Sequence, residues 1–170
     1  MMELRGPNGS GKSSLLRLLA GLNRPSAGRV NLESENSDVT LAEQAHFIGH
    51  ADAIKPSLTV TQNLEFWAAF LSGRKQELPL DDFGLRRLKD DPAMLLSAGQ
   101  KRRLALTRLL VTKRMVWLLD EPSVGLDATS LAALQKVISR HRGEGGMVIA
   151  ATHIDLELKA TQTLHMAEAR

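Results

Sequence analysis

The chain has 170 residues, 43% of them apolar and 24% charged, a composition that excludes disordered and fibrous classes and suits one domain with a real core. Cysteine is absent, which removes disulfides, zinc–thiolate sites and thiol nucleophiles. The net charge is only +3 and aromatics make up 4%, so nothing marks a nucleic-acid surface.

Met2–Arg5 reads as a strand running into Gly6–Gly11, a loop with three glycines in six residues. Lys12–Ala20 carries leucines at helical spacing, and Gly21 is placed to stop that helix. Pro25, Ser26 and Gly28 make a turn, Arg29–Leu32 alternates like a short strand, and Glu33–Asp38 reads as polar loop. Ala45–Gly49 is a buried strand. Thr59 and Gln62 have capping-box spacing before an apolar helix, Thr61–Leu71. A short charged helix is expected around Phe83–Leu88. Ser97 and Gln100 form a second capping box, followed by a helix over Gly99–Thr112. Met115–Leu119 has the unbroken apolar character of a fully buried parallel strand. Asp127 caps a long helix to Arg142, Gly143–Gly146 breaks it, and Met147–Ala151 is another buried strand. Asp155 is placed to cap a last helix, and Thr163–Met166 forms a last strand.

Helices alternating with apolar strands at both ends of the chain predict an α/β fold with a parallel sheet covered by helices. Residues from about 57 to 113 are mostly helical and interrupt the alternation, so they are read as a helical subdomain inserted in a single domain over 1–170. The longest apolar run, Phe66–Leu71, is six residues, far short of a membrane span. Met1–Gly11 has no apolar signal region. A cytosolic protein is the expectation.

Gly6-Pro7-Asn8-Gly9-Ser10-Gly11-Lys12-Ser13 fits G-x-x-x-x-G-K-[ST], the phosphate-binding loop. Glycines let successive N–H groups turn inward, the helix from Lys12 adds its positive dipole end, and Lys12 brings a cation to the β- and γ-phosphates. The Ser13 hydroxyl is a hard oxygen for Mg²⁺. Chance produces such a match in about 1% of chains this long. Met115–Glu121 is an apolar strand ending in two carboxylates, which places charge at the edge where ligands bind in parallel sheets. Asp120 would hold Mg²⁺ through water, and Glu121 would polarise an attacking water as general base. Leu96-Ser97-Ala98-Gly99-Gln100 is a helix N-cap and also an anion site. One nucleotide does not need two such sites from one chain, which points to a nucleotide shared between two chains.

With Ser123–Asp127 and Thr152-His153, these segments resemble the ATP-binding cassette (ABC) ATPases of ABC transporters, across the whole chain and in the family's order. Gly6–Ser13 matches the Walker A motif, Leu96–Gln100 the signature with Ala98 at its first glycine, and Val116–Glu121 the Walker B motif. Ser123–Asp127 is similar to the D-loop and His153 to the switch histidine. The resemblance implies a P-loop NTPase fold with ATP and Mg²⁺ as ligands. It puts Glu121, His153 and His50 at catalytic positions and Ser13 and Asp120 on the metal. Gly6, Pro7, Asn8, Gly9, Ser10, Gly11, Lys12, Ser13 and Ser14 would contact nucleotide, with Ser97, Ala98, Gly99, Gln100 and Asp127 completing the site. It further implies a homodimer closing head-to-tail and no nucleic acid.

Two departures carry expectations of their own. His50 stands where the family has a glutamine that contacts Mg²⁺ and the attacking water. The family also has further strands and an adenine-stacking aromatic before its Walker A strand, so the chain reads as N-terminally truncated. It is therefore expected to have an open sheet edge, weak ATP binding with little preference over GTP, and poor solubility.

Phe47-Ile48-Gly49-His50, Ile54-Lys55, Leu58-Thr59, the short helical insert and the Leu-Ser-Ala-Gly-Gln signature resemble the CcmA family, the ATPases of bacterial cytochrome c maturation. That implies a CcmB-like membrane subunit and peripheral attachment through it at the cytoplasmic face of the bacterial inner membrane. Hydrolysis would drive haem export or release of a haem-loaded chaperone. Alternatives are the ATPase of another transporter, a degenerate regulatory subunit, and a soluble ABC ATPase acting on DNA or ribosomes. The aromatics Phe66, Trp67 and Phe70 are expected to pack in a core. His46, His141 and His165 have no metal-ligand spacing.

Overall fold

In the computed structural model, which describes residues 1–30, 40–73, 77–153 and 156–167, the apolar runs of the sequence become strands of one parallel sheet. The strands are β1 (Met2–Arg5), β2 (Ala45–Ile48), β3 (Val116–Asp120), β4 (Met147–Ala151) and β5 (Gln162–His165), in the order β2-β3-β4-β1-β5. The chain divides into two compact units. The first comprises Met1–His50, Arg114–Pro122 and Ser139–Arg170; the second comprises Ala51–Lys113 and Ser123–Ile138.

In the first unit, every residue of β3 is buried, as an unbroken apolar run requires when both faces of a sheet are covered. Helix α1 (Lys12–Leu19) packs Leu16 onto Leu4, Val116, Leu118 and Ala151, a core extended by Leu15, Leu19 and Phe47. Fully burying a leucine such as Leu16 contributes about 2 kcal/mol. On β3, Trp117 is stacked by the His141 ring at 3.9 Å and 3°.

The strand in front of the phosphate loop is not left at an open edge. β1 pairs with β4 on one side, Leu4 beside Ala151, and with β5 on the other, Leu4 beside Leu164. The described edges of the sheet are β2 and β5, and β1 itself is flanked on both sides by later parallel strands. A short helix α2 (Leu41–Gln44) precedes β2, with Thr40 and Glu43 forming a capping box.

The second unit is held by local polar geometry. Helix α3 (Val60–Ser72) and helix α4 (Ala98–Thr107) each begin with the expected capping box, Thr59 with Gln62 and Ser97 with Gln100. Asn63 is 1% exposed and fully used. It accepts from the Lys55 N–H at 2.8 Å and donates to the carbonyls of Lys55, Leu58 and Thr59. Buried Arg102 pairs with Asp52 at 2.9 Å, and the Arg108 guanidinium lies 4.3 Å over the Trp67 ring. Burial lowers Arg108 to about 10, with repulsion from Arg102 adding to the shift and Asp52 opposing it. Helix α5 (Ala128–Gly143) starts at Asp127 as expected, whose Oδ1 accepts from the Ser130 N–H at 2.7 Å.

Several expectations are corrected. The charged helix around Phe83–Leu88 is only a 3-10 turn at Arg86–Leu88. The helix expected to reach Thr112 leaves α-geometry at Thr107 and closes with a 3-10 turn at Arg108–Leu110. Arg29 and Val30 form no strand; the remainder of that segment and Glu33–Asp38 lie outside the described residues. Asp155 also lies outside them, and residues 156–160 carry no helix. The aromatics of α3 are not a core cluster: Phe66 is 38% and Phe70 72% exposed, stacked on each other at 6.1 Å. Helical spacing alone does not say whether an apolar stripe faces inward.

Candidate nucleotide-binding site

The carboxyl edge of the first unit's sheet gathers the charged residues that the sequence singles out. β1 delivers the loop Gly6–Gly11 and α1 carries it away. Gly6 has to be a glycine: a Cβ there would sit 2.4 Å from the Met166 carbonyl oxygen and 2.8 Å from Ser10 Oγ. Gly11, at φ 91, is the N-cap of α1, and no side chain caps that terminus. The first N–H groups of α1, from Lys12, Ser13 and Ser14, have no acceptors within the helix and form an anion-ready end. Ser10 Oγ is buried and has no hydrogen-bond partner among the described residues. Lys12 is 8% exposed and folds back on the loop, its Nζ donating to the carbonyls of Gly6 at 2.7 Å and Pro7 at 2.8 Å. Both are features that a phosphate would complete: a buried hydroxyl that lacks a partner and a cation resting on neutral carbonyls.

Ser13 Oγ donates to Asp120 Oδ1 at 3.0 Å, across 107 positions of sequence. A hydroxyl and a carboxylate side by side are the hard oxygen pair that suits Mg²⁺, which takes one or two carboxylates and leaves other positions to phosphate and water. Among the described residues no group of three or more His, Cys, Asp or Glu forms a closed metal cage. The donor set therefore fits Mg²⁺ bound together with a phosphate.

Glu121 follows Asp120 with φ 48, a left-handed conformation that a side-chain-bearing residue adopts at a cost of about 1–3 kcal/mol. Its N–H is tied to the Ala151 carbonyl at 2.8 Å, which holds the turn. The turn brings Glu121 beside His153. The His153 N–H donates to Glu121 Oε2 at 3.3 Å, and His153 Nε2 lies 3.5 Å from Glu121 Oε1 and 3.1 Å from Asn8 Oδ1. His50 is exposed just beyond β2. Ile48 pairs with Leu119, so His50 and Glu121, each two residues further on, leave the same edge of the sheet.

The remaining predicted positions belong to the second unit. Ser97 and Ala98 are exposed at the start of α4, Ser97 Oγ accepting from the Gln100 N–H at 3.2 Å and Gln100 Oε1 from the Ser97 N–H at 2.8 Å. A Cβ at Gly99 would lie 3.2 Å from the Gly125 carbonyl oxygen, a tight approach that favours a small residue there. Asp127 is exposed, and its carboxyl is held below the ordinary range by the Ser130 hydroxyl first and the Ser130 N–H second. Sequence reasoning missed the orphaned Ser10 hydroxyl, the strained backbone at Glu121 and the Asn8–His153 contact. Each depends on tertiary closure and leaves no local signal.

The geometry can be set against known proteins. Residues 1–124 match the family model described as ABC transporter. The chain is 48% identical over 163 residues to the cytochrome c biogenesis ATP-binding export protein CcmA of Rhodopseudomonas palustris, covering 95% of this chain and 82% of that protein. It is 50% identical to the CcmA of Nitrobacter winogradskyi with the same coverage. Among solved structures, a dimeric bacterial ABC transporter cassette superposes with a TM-score of 0.82 at 22% identity, over 99% of this chain and 81% of that one.

Proposed function

The chain belongs to the ABC transporter family, in its CcmA branch of cytochrome c biogenesis ATP-binding proteins, and we propose that its hydrolysis of ATP powers haem export or release of a haem-loaded chaperone during cytochrome c maturation. The observation that carries the site assignment is the meeting of Ser13 with Asp120 at 3.0 Å while the next residue, Glu121, is turned to His153. Lys12 exchanges its two carbonyl partners for phosphate oxygens of ATP. Ser10 and the N–H groups at the start of α1 take the remaining phosphate oxygens. Ser13 and Asp120 hold Mg²⁺, which when bound neutralises charge on the phosphates. Glu121 accepts a proton from water as its oxygen bonds to the γ-phosphorus and the bridging P–O bond to ADP breaks, giving ADP and inorganic phosphate. His153 and His50 flank that water.

Ser97, Ala98, Gly99, Gln100 and Asp127 act on nucleotide held by a second copy of the chain, in a head-to-tail homodimer. The membrane partner is a CcmB-like subunit, which holds the ATPase peripherally at the cytoplasmic face of the bacterial inner membrane. The exposed aromatic face of α3, with Lys55 lying 4.4 Å over Phe66, supports docking of such a partner. No helix among the described residues is long and apolar enough to cross a membrane.

The test is Glu121→Gln. ATP binding should persist while turnover falls by roughly two to four orders of magnitude, the range for loss of a positioned base. Turnover at the native rate would remove the general-base assignment.

A further inference from the structure

We propose that Asn8 is a positioning residue for His153, its side-chain carbonyl holding the imidazole Nε2 as a hydrogen-bond donor beside Glu121. This role rests on the reading of Glu121 as the base. His153 Nε2 has two oxygens within reach, Asn8 Oδ1 at 3.1 Å and Glu121 Oε1 at 3.5 Å. An ionised carboxylate accepts and does not donate. A nitrogen that faces it must carry the hydrogen, and the amide beside it must then present its carbonyl rather than its NH₂. The carboxylate thus fixes the orientation of the Asn8 amide and requires a hydrogen on Nε2.

The consequence bears on the chemistry. A bare Nε2 beside Glu121 would compete for the proton of the attacking water. An Nε2–H cannot, so Glu121 stays the acceptor.

A double-mutant cycle tests this on the full chain. In the wild-type background Asn8→Ala should lower kcat roughly tenfold, within the coupling range of contacting residues. The loss is read in kcat at saturating ATP, because Asn8 belongs to the loop that would contact nucleotide and KM carries that contact as well. In a His153→Ala background the same substitution should change kcat less than about twofold. Equal losses in both backgrounds would overturn the proposal.

Because Asn8 lies in the phosphate loop, a readout without nucleotide is needed. In ¹⁵N spectra of the five histidine rings, the His153 signals are those lost in His153→Ala. Asn8→Ala should move its Nε2 resonance, while Asn8→Asp, which keeps an acceptor oxygen, should preserve the Nε2–H signature. An Nε2 resonance indifferent to Asn8→Ala would sink the idea. Failure of Glu121→Gln to stop turnover is a separate result, and it would remove the base reading while leaving the Asn8–His153 coupling measurable.

Discussion

The two units differ in how far along the chain their stabilising partners lie. The first builds its stability from strands far apart in sequence, with buried apolar side chains between sheet and α1. Its polar groups collect at one edge in unfinished arrangements: a buried Ser10 hydroxyl without a partner, Lys12 on loop carbonyls, Glu121 in a left-handed turn. The second unit ties its helix starts and its buried amide locally. Asn63 satisfies four backbone groups, Arg102 pairs with Asp52, and two capping boxes are complete, although the Ser123 hydroxyl is buried with no hydrogen-bond partner among the described residues. A buried polar group left unmatched is expensive, so Ser10, unmatched beside a phosphate loop and a helix start, is placed where a bound anion would offset that cost.

The largest effects should separate catalysis from folding. Lys12→Ala removes the loop's cation and should lower ATP affinity by two orders of magnitude or more, roughly 3 kcal/mol, the upper range for a charge-assisted contact. Its loss of thermal stability should stay below that of a core truncation, because its present partners are two carbonyls of its own loop. A large stability loss in titration calorimetry and melting experiments would mean that Lys12 is a structural clamp.

Next come changes that should each strike one unit. Leu118 is completely buried on β3, and Leu118→Ala should cost about 3 kcal/mol through lost burial and a cavity. Asn63→Ala strands backbone groups of the second unit and should cost about 2–3 kcal/mol. The chain's two tryptophans report the units separately, Trp117 in the first and Trp67 in the second. In Trp67→Phe and Trp117→Phe backgrounds, each destabilisation should shift its own unit's fluorescence transition more. Equal shifts in both reporters would show that the geometric division has no thermodynamic counterpart.

A smaller effect is expected at His50. His50→Gln should retain most of the activity and His50→Ala should lose more, by about tenfold, if the side chain assists the attacking water. Equal rates for the native, Gln and Ala proteins would make His50 a bystander at the end of β2.

Much of this contrast was legible before any coordinates. The phosphate loop, the fully buried β3 and both capping boxes of the second unit are local patterns, and local patterns survive folding. The third box, Thr40 with Glu43, carries the same spacing and is equally legible. What was hidden depends on closure. Nothing in Met2–Arg5 says that β4 and β5 will flank it, and nothing in α3 says that Phe66 and Phe70 will stay exposed. The helix after Ser97 is shorter than its sequence suggests, because its leucines continue in helical spacing through the 3-10 turn at Arg108–Leu110.

The smallest predicted effect compares the two units through their helix caps in acid. Glu43 in the first unit is held below its ordinary pKa by the Thr40 N–H first and the Thr40 hydroxyl second. Asp127 in the second is held down by the Ser130 hydroxyl and then its N–H. A lowered carboxyl binds fewer protons folded than unfolded, so its stabilisation is complete above the unfolded value, near 4. It is lost as pH falls through the folded value. Glu43→Gln and Asp127→Asn keep an oxygen acceptor but do not titrate. Each variant should therefore be slightly less stable than the native chain above about pH 5 and converge with it below pH 4. The Trp117 transition should report the first and the Trp67 transition the second. Both carboxylates face solvent, so salt should shrink both differences. A gap that stays constant from pH 7 to pH 3 would mean that the caps act through hydrogen-bond geometry alone, and that charge contributes nothing to either helix start.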